Sequence, residues 1–146
     1  MTTGPLRENV SPPLRRFLLA SPIVFVLVPF VFLDKGTHSG ITDPREVVVQ
    51  SEREWETLWK QHAPAGRPLP SVNFANERVV GVFAGQRPTA GYLVEIVKIE
   101  REIGSLDVVY RIESPPQDAI VAQELTQPFH LIRLPVLGLP IRFKKL

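Results

Sequence analysis

Cysteine is missing from all 146 residues. Its absence excludes disulfides, a thiolate nucleophile, thiolate-held zinc and lipid attachment through an N-terminal cysteine. An excess of one charge is missing from the domain as well. From Asp43 onward 13 Lys and Arg face 13 Asp and Glu, and the surplus lies before it, where Arg7, Arg15, Arg16 and Lys35 meet only Glu8 and Asp34. A nucleic-acid binder needs a basic face or stripe. Here only Arg142, Lys144 and Lys145 cluster, in a terminal tail, so no nucleic-acid partner is expected.

Several chemical signatures are lacking too. No phosphate-binding loop, dinucleotide fingerprint or calcium loop is present. His38, His62 and His130 stand far apart, none at metal-ligand spacing from another His or a carboxylate, so neither metal nor cofactor is expected. Gly36-Thr37-His38-Ser39-Gly40 has the glycine spacing of a nucleophile elbow but carries His38 at its centre, without the strand-to-helix context that strains such a serine. Glu100 and Glu102 lie at a strand end and read as solvated. His62 reads as a helix C-terminal residue favoured by the dipole, and His130 as an edge or core residue. No catalytic residue, and hence no enzyme, is expected.

What the chain does have is 15 prolines, about twice the usual share, which argue for strands joined by stiff loops over a helical bundle. The length suits one domain. Residues 1–16 read as a disordered basic segment. Arg15-Arg16 then precedes an uncharged run from Phe17 to Leu33, the order of a secretory signal or an anchor with its N-terminus inside. At 17 residues, with Pro22 and Pro29 inside it, the run is at the lower limit for spanning, and no small-x-small cleavage site follows. It divides best into a membrane anchor or signal over 17–28, uncleaved, and a domain over 29–146 whose first strand is Phe30-Val31-Phe32-Leu33.

Within the domain, residues 46–50 read as a strand. Ser51 with Glu54 forms a capping box for a helix whose Trp55, Leu58, Trp59 and His62 share one face, ended by Pro64 and Gly66. Strands follow over 79–84, 92–100 and 106–113, the last with Leu106, Val108, Tyr110 and Ile112 on one side. Residues 102–105 form the hairpin turn, and strands over 129–134 and 141–143 close the chain. The fold class is therefore mainly β (α+β), about seven strands in an antiparallel sandwich or partial barrel, with the amphipathic helix packed on it.

Gly85-Gln86-Arg87-Pro88-Thr89-Ala90-Gly91-Tyr92 interrupts the two most apolar strands. One reading is turn chemistry: two glycines at positive φ, a stiffening proline, a threonine bonded locally. The other is a rigid tip presenting a planar cation and an aromatic, the residue types that dominate binding hot spots.

Ser39-Gly40-Ile41, Trp55 and Trp59, Val80-Gly81-Val82-Phe83 with the loop after it, and the later stretch from Val121 through Thr126-Gln127-Pro128-Phe129-His130 resemble the PrcB C-terminal domain family over roughly Phe30 to Phe143. That resemblance implies a non-catalytic extracytoplasmic accessory domain that binds a protein partner, a protease, and supports its assembly or stability. The contacts expected, from a planar cation and an aromatic at a rigid tip, are Arg87, Pro88, Thr89, Gly91 and Tyr92, with Phe129 and His130 as weaker ones. The chain departs from the founding subunit in lacking a lipobox cysteine, so any membrane attachment falls to the apolar run. The loop from Arg87 to Tyr92 is also similar to the Asn-Pro-Thr-Thr-Gly-Tyr loop of chagasin-type cysteine-protease inhibitors, with Arg87 in place of the Asn and the two other loops of that family missing. Protease inhibition is the alternative function.

Overall fold

The computed structural model describes Gly4 and residues 26–146. Eight strands and one helix follow in order: β1 (Val26–Leu27), β2 (Val31–Gly36), β3 (Pro44–Val49), α1 (Glu52–His62), β4 (Glu77–Ala84), β5 (Leu93–Glu102), β6 (Ser105–Glu113), β7 (Phe129–Pro135) and β8 (Ile141–Lys145). They form two four-stranded sheets, β1-β5-β6-β8 and β2-β7-β4-β3. The expected mainly β sandwich with a packed helix is what the chain forms, with one refinement. β8 runs parallel to β6, because β7 crosses to the other sheet before the chain returns. The expected first strand is also preceded by a shorter one, β1, antiparallel to β5.

The sheet containing β4 and β7 is the middle of three layers. Val80, Val82, Ala84, Ile132 and Leu134 face the other sheet and pack with Val94, Ile96, Ile99, Leu106, Val108 and Tyr110. Val79, Phe83, Phe129 and Leu131 face the helix and pack with Trp55, Leu58 and Trp59. A strand buried on both faces reads as a continuous apolar run, which is why residues 79–84 show no alternation.

Helix α1 follows its local signals. Ser51 Oγ accepts the Glu54 N–H at 3.2 Å. The Glu54 carboxylate reaches one residue further back than a capping box requires, accepting the Gln50 N–H at 3.1 Å. All four residues of the predicted face are buried. Both indoles donate to the connector that returns over the helix, Trp55 Nε1 to the Pro70 carbonyl (2.9 Å) and Trp59 Nε1 to that of Arg67 (3.2 Å), so two large apolar side chains are buried without an orphaned N–H.

The expected N-terminal disordered segment lies, but for Gly4, outside the described residues, as does most of the 17–28 anchor or signal. Of that anchor, Val26 and Leu27 form β1 and Val28 is buried in the inter-sheet core. No helix among the described residues is long and apolar enough to cross a membrane.

Candidate functional site

The loop between β4 and β5 is held along its whole length. Gly85 (φ +78°) packs where a Cβ would stand 2.8 Å from the Pro44 ring, and Gly91 (φ +96°) where one would stand 2.7 Å from Pro115 Cβ, so the left-handed turn and the close approach both require glycine. Between them the backbone pairs with the connector that leads into β7. Arg87 and Thr126 exchange both backbone hydrogen bonds, at 2.7 and 3.0 Å, and the Ala90 N–H donates to the Ala122 carbonyl at 3.0 Å. The buried Thr126 hydroxyl donates to the Thr89 carbonyl at 2.8 Å, and Thr89 Oγ1 donates to the Ala90 carbonyl at 2.9 Å. Gln86 N–H bonds Thr42, and Gln127 N–H bonds Thr37, tying both pieces to the β2–β3 loop.

On this frame the Arg87 guanidinium lies 5.4 Å from the centre of the Tyr92 ring, a cation–π pair, with Nε buried and unbonded. Pro88 and Gly91 are exposed, while Arg87, Thr89 and Tyr92 are half-buried. Arg87 also borders a cleft of about 560 Å³ at the open side of the sandwich, shared with Pro44, Arg45, Glu46, Tyr110 and Lys145. There the Tyr110 hydroxyl donates to Glu46 at 2.6 Å, and burial together with that carboxylate drives the phenol pKa upward. Arg45 is forked on Asp43 and also donates to Gln61. A guanidinium, an aromatic face, a lysine and a phenol held protonated make a surface suited to binding a carboxylate or a planar polar group.

Phe129 and His130 sit elsewhere, and in the interior. Phe129 packs against Phe83 and His62 on the helix side. His130 is 0% exposed between the sheets, its Nδ1 accepting the Ile96 N–H at 2.8 Å. The proton therefore sits on Nε2, which has no oxygen or nitrogen partner and stands edge-on to Phe32, ring centres 4.3 Å apart. Burial, reinforced by Lys35 and only partly opposed by Glu95, pushes the imidazole down to about 4. Neither residue can touch a partner, because strand β7 is covered on both faces. Only Arg87, Pro88, Thr89, Gly91 and Tyr92 of the predicted contacts come together.

A second polar constellation escaped the sequence reading. Ser39 Oγ bonds His62 Nδ1 at 2.8 Å, His62 Nε2 bonds Asp34 at 2.8 Å, and Arg67 closes the chain on the same Asp34 oxygen at 2.9 Å. Burial lowers the His62 pKa more than Asp34 raises it, so the ring is neutral, with its proton on the nitrogen facing Asp34. Burial alone would raise Asp34, but the bonds from Arg67 and His62 outweigh it and hold the carboxyl below its usual range. The dipole expectation for the His62 cation yields here to desolvation. The cause of the encounter is a bulge in β2. Phe32 pairs with Ile132 but Asp34 with Leu131, so the extra residue, Leu33, turns Asp34 to the helix side of the sheet. Strict alternation would have placed Asp34 on the face of Phe32, and nothing in the sequence marks the bulge. Among the described residues no three His, Asp or Glu side chains form a metal-binding group.

Among curated proteins and among solved structures nothing matches the chain. One family model does, that of the PrcB C-terminal domain, over residues 78–135. The matched stretch runs from β4 through the central loop, β5, β6 and the Thr126 connector to the end of β7, narrower than the span from Phe30 to Phe143 over which the resemblance runs. The loop and the connector that pins it both lie inside the match, so that stretch is similar to the PrcB C-terminal domain family.

Proposed function

We propose that this chain is a non-catalytic protein-interaction module, held at a membrane outside the cytoplasm, that supports a protease complex by binding one of its proteins. The observation that carries the reading is the pair of Arg87 and Tyr92 on a loop whose backbone is bonded at Gln86, Arg87, Thr89 and Ala90. A binding tip ordered before the partner arrives loses little entropy on association. The family match over residues 78–135 supports the link to a protease complex. The membrane and extracytoplasmic parts rest on the order of Arg15-Arg16 and the apolar run.

The non-catalytic part is supported by the Ser39–His62–Asp34 geometry. In serine hydrolases the nucleophile bonds Nε2 and the carboxylate bonds Nδ1; here the ring is turned the other way. The backbone donors beside Ser39 are already engaged, the Gly40 N–H to the His62 carbonyl (2.8 Å) and the Ile41 N–H to Ser39 Oγ (3.0 Å). The inhibitor alternative gains no support, since a plugging loop must stand clear of its domain and this one is pinned to residues 122–127.

The test is a crosslinking capture from the native membrane fraction, wild type beside an Arg87→Ala/Tyr92→Ala double variant. Capture of a protease-complex protein by the wild type alone, with melting temperatures within a few degrees, is the expected result. Equal capture by both would refute the loop as the contact. Inhibition of papain-like proteases by the wild type would favour the alternative instead.

A further inference from the structure

An exposed apolar surface of the domain lies along β1 and β2. Leu27 is 61% and Phe32 56% exposed. Leu27 and Phe30 line one shallow depression with Val97 and Lys98, and Phe30 stacks on Phe32 with ring centres 6.1 Å apart, so the four apolar side chains form one patch. Its margins are cationic. Lys35 sits 5.7 Å from the Phe32 ring centre, and Lys98 stands beside Val97. The nearby acids are engaged, Glu95 by Arg111 and Glu100 by Lys98. Apolar side chains with a lysine at their margin are what the headgroup–acyl boundary of a membrane accepts.

The chain path supplies the second argument. The apolar run that begins at Phe17 enters the domain at Val26 with no linker, since Val26 already pairs with Arg101 and the Val28 N–H bonds the Ile99 carbonyl. Nine residues of the run, 17–25, precede that entry. Even a fully helical stretch of that length rises only about 14 Å, against a hydrocarbon core of about 30 Å. A span would require β1 to be pulled from β5 and Val28 from the core. A run of this length can enter one leaflet, and it would then bring the β1–β2 edge down onto the lipid.

We propose that the chain meets the bilayer peripherally, with Leu27, Phe30, Phe32 and Val97 seated in the interface and Lys35 at the headgroups. This rests on the membrane location proposed above and replaces a spanning anchor with a sheet edge. The loop bearing Arg87 leaves β4, which β7 separates from β2 in the strand order β2-β7-β4-β3.

The absence of cysteine makes the test direct. The full chain carrying Leu27→Cys, Phe32→Cys or, as a control outside the patch, Ile120→Cys is labelled with an environment-sensitive fluorophore. Each is mixed with phosphatidylcholine vesicles, with and without phosphatidylglycerol. Probes at 27 and 32 should shift to the blue and brighten several-fold, the probe at 120 should not, and alkaline carbonate should strip the chain from the vesicles. Leu27→Ser with Phe32→Ser should lower partitioning about tenfold or more, as expected for two large apolar side chains kept in water. Vesicle binding with silent probes at 27 and 32 would overturn the seated edge and leave the membrane location standing. Carbonate-resistant binding would overturn the peripheral mode, and no binding would remove both. Blue shifts without vesicles, with a doubling of mass on concentration, would assign the patch to a second copy of the chain and overturn the lipid contact.

Discussion

Acidification from pH 7 to pH 4.5 should destabilise the domain chiefly through one buried ring. His130 has a folded pKa of about 4 against an unperturbed 6.5, burial being the main cause. Between these values the unfolded chain binds a proton that the folded chain refuses. Stability from this group is therefore complete above pH 6.5 and is lost as pH falls from 6.5 towards 4. With one pK unit worth about 1.4 kcal/mol, the loss is about 1 kcal/mol at pH 5.5 and between about 2 and 3 kcal/mol at pH 4.5. His62, also lowered, adds a loss of the same sign. Urea unfolding at a series of pH values measures the slope, and proton NMR of the imidazole ring assigns it. His130→Asn keeps an acceptor near the Ile96 N–H and cannot titrate. It should start less stable, because a ring is removed from the core, yet show a shallower slope. A flat profile from pH 7 to pH 5, or an equal slope in His130→Asn, would refute the assignment.

Gly40→Ala should be among the most damaging single changes, because its Cβ would overlap the Gln61 carbonyl oxygen at the end of α1. A loss of more than about 3 kcal/mol, read as a fall in Tm of about 10 °C or more, is expected; a Tm that barely moves would contradict the packing. Thr126→Val should cost about 1–2 kcal/mol by leaving the Thr89 carbonyl without its buried donor. Hydrogen exchange at Arg87 and Ala90 should then rise more than at Val80 or Ile132. Ser39→Ala should cost about 1–3 kcal/mol, since the Ile41 N–H and His62 Nδ1 both lose a partner. A serine-directed fluorophosphonate should not label the wild type, and covalent labelling of Ser39 would overturn the non-catalytic reading.

The parts of the fold legible in the sequence were those set by local periodicity. Trp55, Leu58, Trp59 and His62 could only share a helical face, and Leu106, Val108, Tyr110 and Ile112 could only share a strand face. What stayed hidden depends on register between distant strands. The Leu33 bulge delivers Asp34 to His62 across 28 positions of sequence. The parallel placement of β8 depends on which sheet β7 joins. The burial of Phe129 and His130 follows from β7 lying between β2 and β4 in the central layer. Sequence alternation marks the sides of a strand but not which sides are covered, so a His beside a Phe was equally compatible with rim and core.

The residues that carry the family resemblance are, one after another, residues the fold itself requires. Ser39 and Gly40 fasten the β2–β3 loop to the end of α1, through the hydroxyl bonded to His62 and the backbone lying against Gln61. Trp55 and Trp59 hold the returning connector by their indole N–H groups. Gly85 and Gly91 permit the turns, and Thr126 bolts the loop to the segment before β7. Such a pattern identifies how the chain folds without naming what it binds, since each position has a structural reason to hold its residue. Binding specificity must then reside in side chains that the frame exposes without using. On the loop these are Pro88 and the outer faces of Arg87 and Tyr92. It follows that domains with this frame can serve different partners, because changing those three side chains leaves every backbone bond of the loop in place.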